Sequence, residues 1–294
     1  MYLTGFADEA ATDIQGQIKA TKELGWTFIE ARGVFGKNIH DISDAEFETV
    51  CEALAESGVS VNCFGSAIAN WGKPITDPFD SSLEETRRAI PRMQRLGAKL
   101  VRIMSFAVLK DRKPDDQMEE ERFRRVRELV RMFNDAGLTP VHENCMNYGG
   151  MGWTYTRKLV EQVPGLKLVY DTGNPVFTDD RSKPEPYPKQ SAWEFYDHVR
   201  EHVAYVHIKD GVWNNDTQKT TYTFPGEGQG DVRRIVTDLL RRGYDGGISM
   251  EPHLAVVHHE PASSAYAENR YANYVEYGRR FETLLAECRA GLKK

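Results

Sequence analysis

A single junction recurs six times along this chain: a helix-like tail, one glycine and then a short apolar run. The six copies read LGWTFIEA, SGVSVNCF, LGAKLVRI, AGLTPVHE, PGLKLVYD and RGYDGGISME. Glycine adopts the left-handed backbone conformation that ends a helix, so each junction predicts a helix stop followed at once by a strand. The predicted stops are Gly25, Gly58, Gly97, Gly137, Gly165 and Gly243.

The segments before these glycines carry helical periodicity, as in Phe47, Val50 and Leu54, and Ser43 with Glu46 predicts a capping box for that helix. The eight apolar runs are YLTGF, TFIEA, SVNCF, KLVRI, TPVHE, LKLVYD, AYVHIKD and GISME. Short β-branched runs of this kind are typical of parallel strands covered on both faces. Eight strand–helix units in 294 residues predict an α/β fold, a (β/α)8 TIM barrel, as a single domain over residues 1–294. A doubly wound open sheet is the alternative, weakened because no GxGxxG follows the first strand.

The composition of the chain argues against several classes of binding partner and structural cofactor. The formal net charge of -6 argues against a surface built for nucleic acid, which requires clustered Lys and Arg. The four cysteines are far apart and form no CxxC pair, which argues against a disulfide framework or a structural zinc site. The segment MYLTGFADEA reaches Asp8 and Glu9 without the basic and apolar pattern expected of a leader, and no run of about 20 apolar residues occurs in the sequence. We therefore expect a cytoplasmic protein with no membrane partner that acts on a small molecule.

Polar residues stand where four consecutive predicted strands end. Strand five ends in Glu143, strand six in Asp171, strand seven in His207 and strand eight in Glu251. They are separated by 28, 36 and 44 residues, each close to one strand–helix repeat. Because active sites of such barrels lie at the carboxyl ends of the strands, these four side chains are expected to converge at one mouth.

Three carboxylates gathered in a cavity repel one another unless a cation neutralises them. The four residues therefore predict one divalent metal ion. Oxygen-rich ligation with one imidazole favours Mn²⁺ or Mg²⁺, while the ligand types also permit Zn²⁺, Co²⁺ or Fe²⁺. The alternative is four separate salt-bridged groups at strand ends.

The segments VHEN, YDTGN, VHIKD and SMEPH, which contain these four residues, resemble the metal quartet of the xylose isomerase-like TIM-barrel superfamily, in its sugar isomerase and epimerase branch. The resemblance extends over nearly the whole chain, including IEARGVFGKNI and PGEGQGD. It implies one metal held by the quartet and proton transfer by Glu143 and Glu251. It also implies homodimers or homotetramers.

Side-chain alternation on strands predicts which neighbouring residues face the interior. Lys209 shares the inward side with His207, where it would bond a substrate hydroxyl or protonate a leaving oxygen, or form a salt bridge to Glu143 or Asp210. His253 shares the side of Glu251, as an acid or base or as a loop histidine bonded to backbone.

Three further residues are compared with the relatives that the resemblance suggests. Cys145 stands where many of them have histidine, so we expect a pocket wall rather than a base. Asn174 also replaces a histidine and is expected to bond a sugar hydroxyl. Glu227 either contacts substrate or bonds backbone amides where Asp231 caps the next helix.

The predicted function is isomerisation or epimerisation of a ketose or keto-polyol through an enediolate. A metal-dependent dehydratase or lyase acting on a keto-sugar shares its first step, and a non-catalytic sugar-binding barrel is a third hypothesis. The endonuclease IV branch of the superfamily is disfavoured, since the ends of strands two and three offer Glu30, Arg32, Cys63 and Ser66 instead of histidines. The absence of a glycine-rich phosphate loop favours an unphosphorylated substrate.

Overall fold

Eight parallel strands form the inner wall of the fold in a computed structural model that describes residues 1–254 and 269–293. The barrel strands are β1 (Tyr2–Gly5), β2 (Phe28–Ala31), β3 (Ser60–Phe64), β4 (Leu100–Ile103), β5 (Thr139–Glu143), β6 (Lys167–Asp171), β7 (Val203–Ile208) and β8 (Gly247–Met250). They pair in the order β1-β8-β7-β6-β5-β4-β3-β2. The predicted TIM barrel is confirmed.

A helix follows each strand in the described part of the chain. These are α1 (Ile14–Glu23), α2 (Asp44–Ser57), α3 (Asp80–Leu96), α4 (Glu119–Asp135), α5 (Trp153–Gln162), α6 (Ala192–Val199), α7 (Val232–Arg241) and α8 (Arg270–Gly291). Short 3-10 turns occur at Ala7–Glu9, Gly149–Met151 and Arg200–His202, and a one-turn helix at Asn174–Phe177. No helix in the described ranges combines the length and apolar character needed to span a bilayer.

The helix stops predicted from glycine are present. All six glycines have φ between 70° and 84°, a left-handed conformation that favours glycine. The start of α2 also follows its prediction, because Ser43 and Glu46 form a complete capping box. At the start of α7 the prediction was wrong: Asp231 stands at the N-cap position but its side chain accepts no capping hydrogen bond.

Two antiparallel hairpins lie at the carboxyl end of the barrel strands. Gly33–Val34 pairs with Lys37–Asn38 after β2, and Gly211–Asn214 pairs with Lys219–Tyr222 after β7. Both hairpins contribute to the wall of the cavity above the strand ends, through residues such as Asn38, Trp213 and Tyr222. The loops on this side of the barrel therefore shape the mouth that the strands leave open.

The barrel closes between β1 and β2 through a side chain. No backbone ladder joins these two strands among the described residues. Instead the hydroxyl of Thr4, fully buried, lies 3.0 Å from the carbonyl oxygen of Phe28 and 3.1 Å from Oδ1 of Asn62. Thr4 therefore links three neighbouring strands at the seam.

Replacing Thr4 by valine tests this closure. Thr4→Val keeps the shape of the side chain but leaves buried acceptors without a donor, so we expect a loss of about 1–3 kcal/mol in the free energy of unfolding. Urea unfolding of both proteins measures it. Thr49→Val is the matched control, because the exposed Thr49 hydroxyl bonds only the carbonyl of Ala45 within its own helix. Equal losses for the two variants would contradict the assigned role of Thr4.

Candidate metal centre and active site

The interior of the barrel is layered along β5, β6 and β7. A small apolar cluster fills the lower layer: Cys63, Val141, Val169 and Tyr205. Two residues further along the same three strands stand Glu143, Asp171 and His207. Because side chains alternate along a strand, these polar groups face the same interior one layer closer to the carboxyl ends.

The structure brings the four predicted metal ligands together. Glu143, Asp171, His207 and Glu251 are all buried, and each offers a ligand atom within 4.8 Å of the others. His207 Nδ1 lies 3.5 Å from Glu251 Oε2 and 3.8 Å from Glu143 Oε1. These distances suit ligands that surround a single ion.

Two atoms of this cluster lack the hydrogen bond that burial normally demands. His207 Nδ1 has no hydrogen-bond partner. Asp171 Oδ2 has none either, since Lys209 Nζ at 3.2 Å makes an ion-pair contact without hydrogen-bond geometry. Lone pairs left unsatisfied inside a protein are costly, and both would be satisfied by a cation at the centre of the cluster. The donor set therefore fits a divalent metal ion.

Glu30, at the end of β2, fixes the orientation of the His207 ring. Its carboxylate lies 3.0 Å and 3.2 Å from His207 Nε2 and accepts a hydrogen bond of 2.9 Å from the hydroxyl of Tyr205. A proton held on Nε2 leaves the Nδ1 lone pair directed at the cluster, the arrangement found when a carboxylate supports a metal-binding histidine. From the sequence, Glu30 is only a position where the endonuclease IV branch has histidine, so the sequence does not predict that Glu30 orients His207.

Arg32 and Arg102 hold the two glutamates by their other oxygens. Arg102 Nη1 donates to Glu143 Oε2 at 3.0 Å, and Arg32 Nη1 donates to Glu251 Oε1 at 3.0 Å. Both guanidinium groups stack on the ring of Phe6, with distances to its centroid of 4.0 Å for Arg32 and 5.1 Å for Arg102. The oxygens closest to His207 thus remain directed at the cluster.

These contacts separate the pKa values of the three carboxylates. Although burial opposes ionisation, Arg102 lowers the pKa of Glu143 to about 2, and Lys209 holds the pKa of Glu251 well below its ordinary value. Burial raises the pKa of Asp171 to about 7, against the pull of Lys209. Of the three carboxylates, only Asp171 therefore has a raised pKa, because the cationic partners of the two glutamates outweigh the effect of burial.

Lys209 and Asn174 also contact the cluster. Lys209 Nζ lies 3.1 Å from Glu251 Oε2, and Asn174 Nδ2 donates to Glu143 Oε1 at 3.0 Å. The ion pairs of Lys209 are with Asp171 and Glu251, not with the predicted Glu143 or Asp210. Both Lys209 and Asn174 line the cavity above the cluster.

Cys145 and His253 also line this cavity. Burial raises the pKa of the Cys145 thiol, which lies 3.4 Å from the sulfur of Met104 and forms a compact, uncharged part of the wall. His253 is anchored by Glu9, which accepts a hydrogen bond from its backbone nitrogen and lies 3.1 Å from Nδ1. Its Nε2 lies 3.8 Å from Glu251 Oε1.

Glu227 does not reach the cavity. Its side chain is exposed and pairs with Arg280 at 2.9 Å. The reason lies in its loop, where the backbone N–H groups of Gly226, Gly228 and Gly230 turn inward to the carboxylate of Asp210. Neither predicted role is realised, because Asp210 is the group that binds these amides. Two tryptophans, Trp71 and Trp213, line the cavity, whereas Trp153 begins α5 and stacks on His198.

Residues 18–270 match the family model described as xylose isomerase-like TIM barrel. The chain belongs to this family. No curated protein matches the sequence. The family to which the strand-end residues pointed is therefore the family of this chain.

Solved structures of similar fold cover almost the whole chain. A D-tagatose 3-epimerase-like protein is 14% identical with a TM-score of 0.73, and covers 99% of this chain and 100% of its own. A probable 3-DHS dehydratase from Bacillus anthracis is 13% identical with a TM-score of 0.69 over 96% and 99%. A xylose isomerase-like TIM barrel protein from Mycobacterium smegmatis, in complex with magnesium, is 17% identical with a TM-score of 0.66 over 97% of each chain. At these identities the likeness establishes the fold.

Changing Glu30 to glutamine tests its support of His207. Glu30→Gln keeps the size of the side chain but removes the charge behind the imidazole, so we expect a 10- to 100-fold weaker affinity for Mn²⁺. Competition with a fluorescent chelator measures the dissociation constant. Tyr205→Phe, which removes one hydrogen bond to Glu30, should have a smaller effect. Unchanged affinity in a folded Glu30→Gln protein would contradict this role.

Proposed function

We propose that this protein is a divalent-metal-dependent enzyme that isomerises or epimerises a ketose or keto-polyol through an enediolate. The observation that carries the proposal is the paired arrangement of Glu143 and Glu251. Each has one oxygen directed at the cluster and the other held by an arginine. Two carboxylates arranged in this way flank a single reaction centre and remain ionised.

The chemistry of the donor set supports one divalent ion. Glu143, Asp171, His207 and Glu251 offer three carboxylates and one imidazole, with ligand atoms within 4.8 Å of one another. Two buried atoms of this set, His207 Nδ1 and Asp171 Oδ2, have no hydrogen-bond partner. Mn²⁺ or Mg²⁺ suits such an oxygen-rich set.

A metal ion held by Glu143, Asp171, His207 and Glu251 would supply Lewis-acid chemistry, which makes the proton on the hydroxyl-bearing carbon next to a substrate carbonyl more acidic. The protein residues supply the remaining steps. Glu143, ionised because of Arg102, accepts that proton on one side of the carbon. Glu251 returns a proton on the other side after taking it from the Lys209 ammonium group, which lies 3.1 Å from its Oε2 and is reprotonated from solvent. Lys209 and Asn174 donate hydrogen bonds to substrate oxygens. The side chains of Arg32, Arg102 and Lys209 are each already paired with a carboxylate, which supports an uncharged, unphosphorylated substrate.

A dehydratase or lyase acting on a keto-sugar is the second candidate. Lys209 favours it, because a buried ammonium group beside Asp171 and Glu251 is a proton donor for a leaving oxygen. Its carboxylate neighbours raise the pKa of Lys209, against the effect of burial, so the group stays protonated. Both candidates begin with loss of the same carbon-bound proton and differ in the fate of the enediolate.

Metal content tests the assigned ligands. Purified protein is expected to contain about one divalent ion per chain, since one set of four ligands is present. Asp171→Ala should abolish binding, because it removes a ligand whose Oδ2 has no other hydrogen-bond partner. Asp179→Ala is the matched control, as Asp179 pairs with Lys189 outside the cluster. Elemental analysis after dialysis measures both, and full metal retention in Asp171→Ala would refute the ligand assignment.

Deuterium incorporation tests the enediolate. Ketoses incubated in D₂O with the metal-loaded protein should gain deuterium at the carbon next to the carbonyl, detected by NMR. Glu143→Gln and Glu251→Gln should each slow exchange by at least about 100-fold, because an amide cannot accept the proton. Exchange accompanied by release of water or of a linked group would favour the dehydratase or lyase. A protein that binds sugars but exchanges no proton would be a non-catalytic barrel.

A further inference from the structure

The cavity above the metal cluster is larger than one sugar ring requires. Its volume is about 630 Å³. Even at the roughly 30 Å³ that a water molecule occupies in the liquid, the about twelve non-hydrogen atoms of a hexose account for about 360 Å³. A second cavity of about 290 Å³ adjoins it. The two cavities share a wall formed by Trp71, Met146, Phe177 and Thr178.

Polarity changes from the floor of the first cavity to this shared wall. The floor consists of buried charged groups such as Glu143, Glu251 and Lys209. The shared wall is largely apolar, and its Trp71 and Met146 are 38% and 44% exposed. In the described ranges, only two other large hydrophobic residues are more than one-third exposed, Phe35 and Leu292. Trp71 and Met146 both line the two cavities, and exposed apolar side chains in the wall of a cavity favour a surface that a ligand covers.

The outer part of the mouth is held in place. The Lys189 ammonium lies 3.9 Å from the centre of the Trp213 ring and is itself paired with Asp179 at 2.7 Å. Phe177 packs edge-on against Tyr222 with ring centres 5.1 Å apart. Side chains fixed by such contacts lose little freedom when a ligand binds, so they form a preorganised surface.

Aromatic and hydrogen-bonding groups occur together in the second cavity. Trp71 and Phe177 offer ring surfaces, while Lys110, Asp179 and Arg181 offer polar groups at its edge. A pyranose ring has the complementary chemistry, with an apolar face that stacks on an aromatic ring and hydroxyl groups around its edge. The pairing of these features favours a second sugar ring over a purely apolar group.

We infer that the substrate is a two-ring glycoside, in which a keto-sugar at the metal cluster carries a second ring bound against Trp71 in the adjoining cavity. This inference rests on the proposed function for the placement of the first ring. The position of the second ring depends only on the shape and chemistry of the shared wall. The two parts can therefore fail separately.

The test compares D-fructose with isomaltulose and lactulose, two disaccharides that contain a fructose unit. Dissociation constants are measured by titration calorimetry on the metal-loaded protein. At least one disaccharide is expected to bind about tenfold more tightly than fructose. Trp71→Ala should reduce this advantage about five- to tenfold. Phe35→Ala is the matched control, because Phe35 is 37% exposed and lines neither cavity.

The outcomes distinguish the two proposals. Disaccharides that bind no more tightly than fructose, or whose advantage survives Trp71→Ala, would overturn the second subsite whatever the result of deuterium exchange. Trp71-dependent binding of a disaccharide without proton exchange would support the subsite and refute the proposed chemistry. Failure of all three sugars to bind would overturn the second subsite and leave the proposed chemistry to the deuterium-exchange test.

Discussion

The compensation of buried carboxylates at the barrel mouth is the constraint on which the rest of the site depends. Asp8, Glu9 and Glu251 all converge on the single guanidinium group of Arg32. A buried charge without a partner is strongly destabilising, so each carboxylate needs such a cation nearby. Arg32 and Arg102 meet this need for Glu251 and Glu143 from outside the cluster, through the carboxylate oxygens that lie away from His207. The result is a preorganised cluster whose ligand atoms could hold a divalent ion.

Local sequence signals were enough to predict the barrel and the four candidate ligands. Glycine stops and apolar runs are properties of neighbouring residues, and a polar residue at a strand end is conspicuous in a buried run. The partners of these residues could not be predicted in the same way. Arg32 lies 219 residues from Glu251, and Glu30 lies 177 residues from His207. Such pairs depend on barrel closure, which no short pattern encodes.

The alternation of side chains along a strand predicted which way a side chain points better than it predicted which residues that side chain contacts. It correctly placed Lys209 inside the barrel with His207, yet its expected ion-pair partners were wrong. The direction of a side chain is set by the strand that carries it, whereas its partners depend on the register of the facing strands. For Glu227 even the direction of the side chain could not be predicted. In a glycine-rich loop no alternation applies, and the inward turn of the backbone toward Asp210 directs Glu227 to solvent.

The site combines a floor fixed by strands and ion pairs with a rim built from loops. Changes at the rim would therefore alter which ligand binds while leaving the residues of the proposed proton transfer in place. Cys145 lies at the boundary of the two parts. Its neutral thiol contacts Met104 and receives a hydrogen bond from Asn147 at 3.0 Å, so it contributes space rather than charge. The small side chain of Cys145, together with the wide cavity beyond it, favours selection of the substrate by its size and ring surfaces more than by charged groups on the substrate.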